Sequence, residues 1–295
     1  TRLMVRSLIP GIAPGNTMED VVMSRFNYGK LDQATSNARI RLNSTVINVR
    51  NDEDEKGVTL TYVKDDTVSL IKAKKCVLAC NNAMIPYLCP QLPDTQKAAL
   101  ANQVRQPILS TCVVVKNWHA FKKIGMSGVS TPGAYFTGVR LQTPLSIGGY
   151  TSPQEPDEPM MIKMTKYPHV VNGGLTAQEQ YRAGRHELLS TSFEEMERHI
   201  RSQLDELLGN AGFNAAEDIE AIIVNRWAHG YAYSYNFHNL FEDDYEDPND
   251  ERYLHVIARK QKGRITIANS DAGGSAMLET AIEQAHRAIG ELREV

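Results

Sequence analysis

The chain has 295 residues, 42% hydrophobic and 23% charged, ordinary proportions for a globular protein able to bury one large core or two interlocked ones. Lys and Arg number 32 against 35 Asp and Glu, and the net charge of -3 gives no general attraction to nucleic acid or to an anionic membrane. No stretch approaches the roughly 18 consecutive apolar residues of a membrane span, and no charged-then-apolar leader opens the chain.

Thr1 stands where Met would be and the text enters in mid-helix, which reads as a fragment and leaves the compartment, cytoplasm or periplasm, unassigned. Leu3, Met4, Val5, Leu8 and Ile9 have helical spacing, and the Pro10, Gly11, Pro14, Gly15 cluster stops that helix. "ARIRLNSTVINVRND" alternates Ile40, Leu42, Val46 and Val49 and reads as one or two strands with a slip or bulge. A strand, a turn at Asp65-Asp66, a second strand and a buried strand follow in "GVTLTYVKDDTVSLIKAKKCVLAC". Cys76, Cys80, Cys89 and Cys112 lack paired metal-ligand spacing and read as buried free thiols, so no metal site is expected.

Beyond Asn81-Asn82 the text becomes proline-rich, then offers a strand near 110–117, an irregular Gly/Pro-rich middle from about 125 to 175, and a strand at "MMIKMTKY". The clearest helical region spans "TAQEQYRAGRHELLSTSFEEMERHIRSQLDELLGNAGF". Phe193, Met196, Ile200, Leu204, Leu207 and Leu208 share a face there, and Ser192 is an N-cap with Glu195 three residues later. "IEAIIVNRW" reads as a buried strand, and a final strand runs through small residues into the last helix.

Three stretches carry candidate chemistry. The last helix points unpaired N–H groups and partial positive charge at Ala272–Ala276, small residues that would let a phosphate or an electron-rich ring approach; a plain strand-to-helix connection explains the same pattern. "VNRWAHGYAYSYN" gathers Trp227, His229, Tyr231, Tyr233 and Tyr235 after a strand, as pocket wall or as core. Seven of residues 242–251 are acidic, which would steer a cation or form a solvated loop. The G-x-G-x-x-G fingerprint is absent, which argues against a self-contained Rossmann domain, and G-x-S-x-G, P-loop and HExxH signatures are absent too.

Together, "ARIRLNSTVINVRN", "KAKKCVLACNN", "IIVNRWAHGYAY" and "GRITIANSDAGGSAMLETAIEQAHRAIGEL" resemble the flavin-dependent amine oxidases, in particular the C-terminal portion of bacterial spermidine dehydrogenase-like proteins. The resemblance implies an α/β (or α+β) fold. The remainder of a flavin-binding Rossmann-like domain, residues 1–82 and 255–295, would interleave with a mixed-sheet substrate domain, residues 83–254. It implies FAD as cofactor, with Val46 near the adenine end, Ser270 and Asp271 near the pyrophosphate and ribityl chain, and Ala276 and Met277 at the isoalloxazine edge. Trp227, Tyr231 and Tyr233 would contact a small cationic amine, a polyamine of the spermidine kind, and His229 is the titratable candidate for accepting its proton.

That likeness also implies a partner, the missing N-terminal half that holds the first βα turn. The usual "F-A-G" lead before the last helix reads Ile267-Ala268-Asn269 here. A noncatalytic fragment or cofactor-free interaction scaffold is the alternative. An amino-acid substrate is a third reading that would need a basic carboxylate clamp, for which Arg140 and Arg226 are available.

Overall fold

The computed structural model describes residues 1–54, 56–170, 173–234 and 245–294. Helices α1 (Arg2–Leu8) and α2 (Met18–Met23) open the chain, the second held by a capping box between Thr17 and Asp20. The expected strand character around Ile40 and Leu42 is not present: Arg39 and Arg41 both turn onto Asp32, at 2.6 and 2.8 Å, and fix residues 39–41 as an irregular segment.

Strands β1 (Thr45–Asn51), β2 (Val58–Lys64) and β3 (Thr67–Ala73) form an antiparallel meander. Its β2–β3 turn sits at Asp65 and Asp66, whose φ values of +48° and +57° match the two-residue hairpin geometry. The expected bulge falls between Val46 and Asn48. Strand β4 (Cys76–Leu78) leads through α3 (Ile85–Leu88) and α4 (Asp94–Asn102) to β5 (Gln106–Val115), where every second residue is buried. The four thiols are free; Cys89 is buried, but Cys80 is exposed because it lies past the end of β4.

Helix α5 (His119–Ile124) and strands β6 (Gly128–Ser130), β7 (Gly138–Leu141) and β8 (Met160–Lys166) precede two long helices, α6 (Ala177–Ser190) and α7 (Phe193–Leu208). The helical region thus divides at Thr191, and Ser192 caps the second piece, its Oγ accepting from the Glu195 amide at 3.2 Å. Met196, Ile200, Leu204 and Leu208, one per turn, are buried, each contributing about 1.5–3 kcal/mol. Gln203 on the same face is satisfied by the Phe136 backbone, from whose amide it accepts at 2.9 Å and to whose carbonyl it donates at 2.7 Å.

Helix α8 (Ala215–Asp218) and strand β9 (Ile219–Tyr231) complete a five-stranded sheet of order β6-β7-β8-β5-β9. Strand β9 is an edge strand of half-buried and exposed residues with none buried, not the buried strand its Ile-Ile-Val run suggests. Short helix α9 (Leu254–Ala258), strand β10 (Ile265–Ile267) and helix α10 (Leu278–Arg293) close the chain, with β10 parallel to β4. One apolar cluster joins the five-stranded sheet to α6 and α7. A second joins Val49, Val58, Leu78 and Ile267 to Ile85 and Leu100. No described helix is long and apolar enough to cross a membrane.

Candidate functional site

Strand β10 is wholly buried and delivers the chain into a tight turn at Ser270 and Asp271. Gly273 is required there, since a Cβ would stand 2.1 Å from Thr280 Cγ2, and Gly274 takes φ +64°. Asp271 is completely buried. Its carboxylate accepts from Arg105 Nε at 2.9 and 3.1 Å, from the other Arg105 nitrogen Nη2, and from the Tyr233 amide at 3.0 Å. Burial pushes the Asp271 carboxyl above its ordinary range, and Arg105 opposes that. A chain of buried amides backs the turn: Gln103 donates to the Asp271 carbonyl at 3.1 Å, and Asn82 donates to Gln103 at 2.6 Å.

Helix α10 begins with Met277 as N-cap and no side-chain cap, so its first-turn amides keep their donor capacity toward solvent. Ala276 lies just before the helix instead of inside it. Met277 and Leu278 are apolar yet 57% and 71% exposed at that end.

The aromatic segment reaches the same place by way of an irregular β9. Gln106 pairs with Tyr231 and Ile108 with Trp227, so the one residue of β5 between them, Pro107, faces three of β9, and the two extra residues form a bulge. Arg185 of α6 clamps it, donating to the Ala228 carbonyl at 2.9 Å and to the Arg105 carbonyl at 3.3 Å. Gly230 is needed in it, because a Cβ would meet Ile108 Cγ1 at 2.5 Å. The bulge separates residues that strict alternation would align. Trp227, Gly230 and Tyr231 line one open cavity, whereas His229 sits in the field of Arg185, Arg105 and Asp271. His229 is held below its ordinary value by partial burial first, then by the two arginines.

Three cavities meet at Tyr231. One of about 500 Å³ is bordered by Tyr167, Tyr181, Tyr231, Tyr233 and Met277. A shallower one of about 310 Å³ is bordered by Arg105, Gly230, Ser270, Ala276 and Leu278. The largest, about 810 Å³, lies over the open face of the five-stranded sheet and contains Trp227, Arg140 and Lys163. Tyr167 and Tyr231 stack at 6.1 Å and 22° where two of these join.

Of the residues singled out from the sequence, Ser270, Asp271, Ala276, Met277, Tyr231 and Tyr233 converge on this corner. Trp227 stands farther along the open sheet face, and Val46 is half-buried in β1, packed against the apolar cluster that contains Ala272. Tyr235 and residues 242–244 lie outside the described residues; within the remaining acidic stretch, Asp250 pairs with Arg252 and Glu251 with Lys260. Arg105, Tyr167 and Arg185 escaped the sequence reading, because each reaches the site only through strand register or helix docking. No group of three or more metal-ligating side chains occurs among the described residues.

Small residues, an uncapped helix N-terminus and adjacent tyrosines fit the edge of a flat, electron-rich ring. No curated protein matches the chain. Among solved structures, putrescine oxidase bound to putrescine is similar at 16% identity and a TM-score of 0.53, covering 86% of this chain and 49% of that one. An A394C mutant of putrescine oxidase gives 0.55 at 16% identity, covering 85% and 48%. Cyclohexylamine oxidase from Brevibacterium oxydans IH-35A gives 0.51 at 13% identity, covering 84% and 48%. These likenesses show the fold, and the chain spans about half the length of each of those proteins. The profile described as "Flavin containing amine oxidoreductase" matches residues 19–291, and the chain belongs to that flavin-containing family.

Proposed function

We propose that this chain supplies the substrate-facing sheet and the flavin-edge helix of an FAD-dependent amine oxidoreductase. The observation that carries the reading is the convergence of the uncapped α10 N-terminus, the buried Asp271 and the tyrosine-lined cavity on one corner. The chemistry FAD would supply there is a hydride acceptor for the carbon next to the substrate nitrogen.

The chain's own residues would do the rest. First-turn amides of α10, following Ala276 and Met277, would stabilise negative charge at the ring edge. Ser270 would face the ribityl chain, with the buried Asp271 behind it holding Arg105 and the Tyr233 amide in place, and Val46 would border the adenine end. Tyr231 and Tyr233, with Tyr167, would wall the amine from water, and Trp227 would border its far end. His229, held below its ordinary value beside Arg185 and Arg105, borders none of the three cavities, so it would take the proton from the substrate ammonium, and free its nitrogen lone pair, only with its ring turned toward Tyr231.

The two apolar clusters support two interleaved domains, with residues 85–100 packing on the flavin side. The pyrophosphate-binding βα turn matches no motif in this sequence, so we place it on polypeptide outside residues 1–295, the partner that the resemblance implies. A polyamine of the spermidine kind is the finer substrate reading, supported by the likeness to a putrescine-bound oxidase. A cofactor-free scaffold is the second reading, favoured by one observation: Arg105 engages both Asp271 oxygens.

The test is an absorption scan before and after adding FAD and removing free ligand, followed by anaerobic addition of amines. Retained flavin bands that bleach with an amine support the enzyme. Bands that no amine bleaches sink the reaction, and a colourless protein favours the scaffold.

A further inference from the structure

The largest cavity has a chemistry of its own. Small residues, among them Ser110, Gly128, Ser130, Gly138 and Thr165, line much of its floor on the open sheet face. Two cations project over that floor, Arg140 from β7 and Lys163 from β8, and they are direct register partners. Like charges placed opposite each other on neighbouring strands destabilise a sheet unless an anion lies between them. Neither forms an ion pair with any described residue, and no carboxylate borders the cavity among the described residues. Gly128, the register partner of Arg140 on β6, leaves room for the guanidinium stem, since a Cβ there would stand 2.7 Å from Arg140 Cβ. Arg226 points elsewhere: it pairs with Leu109, whose buried side chain faces the helices.

We infer that the Arg140–Lys163 pair is a subsite for an anionic group, and that the substrate is an amine carrying a carboxylate or similar oxyanion several bonds from the reacting C–N bond. The inference rests on the amine-oxidising reading and replaces the polyamine in it with an anion-bearing amine. Position sets the separation. Lys163 lies in β8 four residues before Tyr167, which directly follows the strand, about 13 Å at ~3.3 Å per residue, which the flexible Lys and Arg stems shorten. An α-amino acid, with its carboxylate beside the reacting carbon, is too short to reach both the tyrosine corner and the cations. A second ammonium, as in a polyamine, would meet like charge.

Three probes with a six-carbon chain that cannot transfer hydride separate the cases: hexanoate, hexanamide and hexyltrimethylammonium, each titrated calorimetrically into the flavin-loaded protein. Hexanoate is expected to bind about tenfold more tightly than hexanamide, and the cation more weakly than either. Arg140→Gln and Lys163→Gln should each remove most of that preference, and Arg226→Gln should leave it intact. Equal binding of hexanoate and hexanamide, or tightest binding of the cation, overturns the inference. In turnover, 6-aminohexanoate should exceed both 1,6-diaminohexane and 2-aminohexanoate in kcat/KM, and a reversed order also overturns it. Hexanoate selectivity without turnover of any amine would instead strike the amine reading and leave the anion subsite standing.

Discussion

Replacing Arg105 by Gln tests how the flavin corner is held together. Asp271 is fully buried and the Arg105 side chain only 18% exposed, so the substitution strips a buried carboxylate of its cation. Breaking such a pair by removing one partner costs about 3–5 kcal/mol. The Tyr233 amide still donates to Asp271, and a carboxyl already pushed up by burial can take a proton, so the lower end, about 3 kcal/mol, is expected at pH 7.5.

The pH dependence has a definite sign. An acid whose pKa is higher folded than unfolded holds its proton more tightly in the fold. Stability is then greatest below the unfolded value of about 3.9 and declines as pH rises toward the folded value. Loss of Arg105 enlarges that rise, so the deficit of Arg105→Gln should be smaller at pH 4.5 than at pH 7.5. Urea unfolding at both values measures it. Adding Asp271→Asn should recover on the order of 1–3 kcal/mol, because the unpaired charge is gone. A single variant within about 0.5 kcal/mol of the parent at both pH values would refute the reasoning.

Three further outcomes are expected. Helix propensity alone says that Gly184→Ala in α6 stabilises by about 1 kcal/mol, but its Cβ would lie 2.0 Å from the Pro168 carbonyl oxygen, so thermal melting should show a loss above about 2 kcal/mol. Gly230→Ala should cost about 1–3 kcal/mol; Ile108→Ala should rescue it only in part, because the Gln106 carbonyl at 2.9 Å remains in the way. His255, pushed down to about 4 by burial although Nε2 donates to the Pro248 carbonyl at 2.9 Å, binds its proton more weakly in the fold. Its stability contribution is therefore complete above the unfolded value near 6.5 and is lost as pH falls toward 4. Between pH 7 and 5 that amounts to about 2 kcal/mol, a slope that should flatten in His255→Gln.

Local rules carried the sequence reading where one element decides its own shape. The Ser192 cap, the one-per-turn apolar face of α7, the Asp65-Asp66 hairpin and the strand-to-helix ending all depend on neighbours within a few residues. Strand register, by contrast, is set by residues far apart in the chain. Trp227, His229 and Tyr231 alternate as if on one face, but with the bulge opposite Gln106–Ile108 only Trp227 and Tyr231 of the three line the open cavity. Arg105 meets Asp271 across 166 positions, and Arg140 meets Lys163 only because β7 pairs β8 in one register. Ile222 and Val224 look like a core strand, yet β9 is an edge, since nothing in its own residues says how many strands lie beyond it.

Amide hydrogen exchange on the protein with and without FAD tests the central claim most directly. The account predicts slowed exchange at residues 275–280, where the α10 first-turn amides meet the ring edge, and at Tyr231 and Ala232 beside them. Stoichiometric FAD binding that leaves the exchange of residues 275–280 unchanged would contradict it.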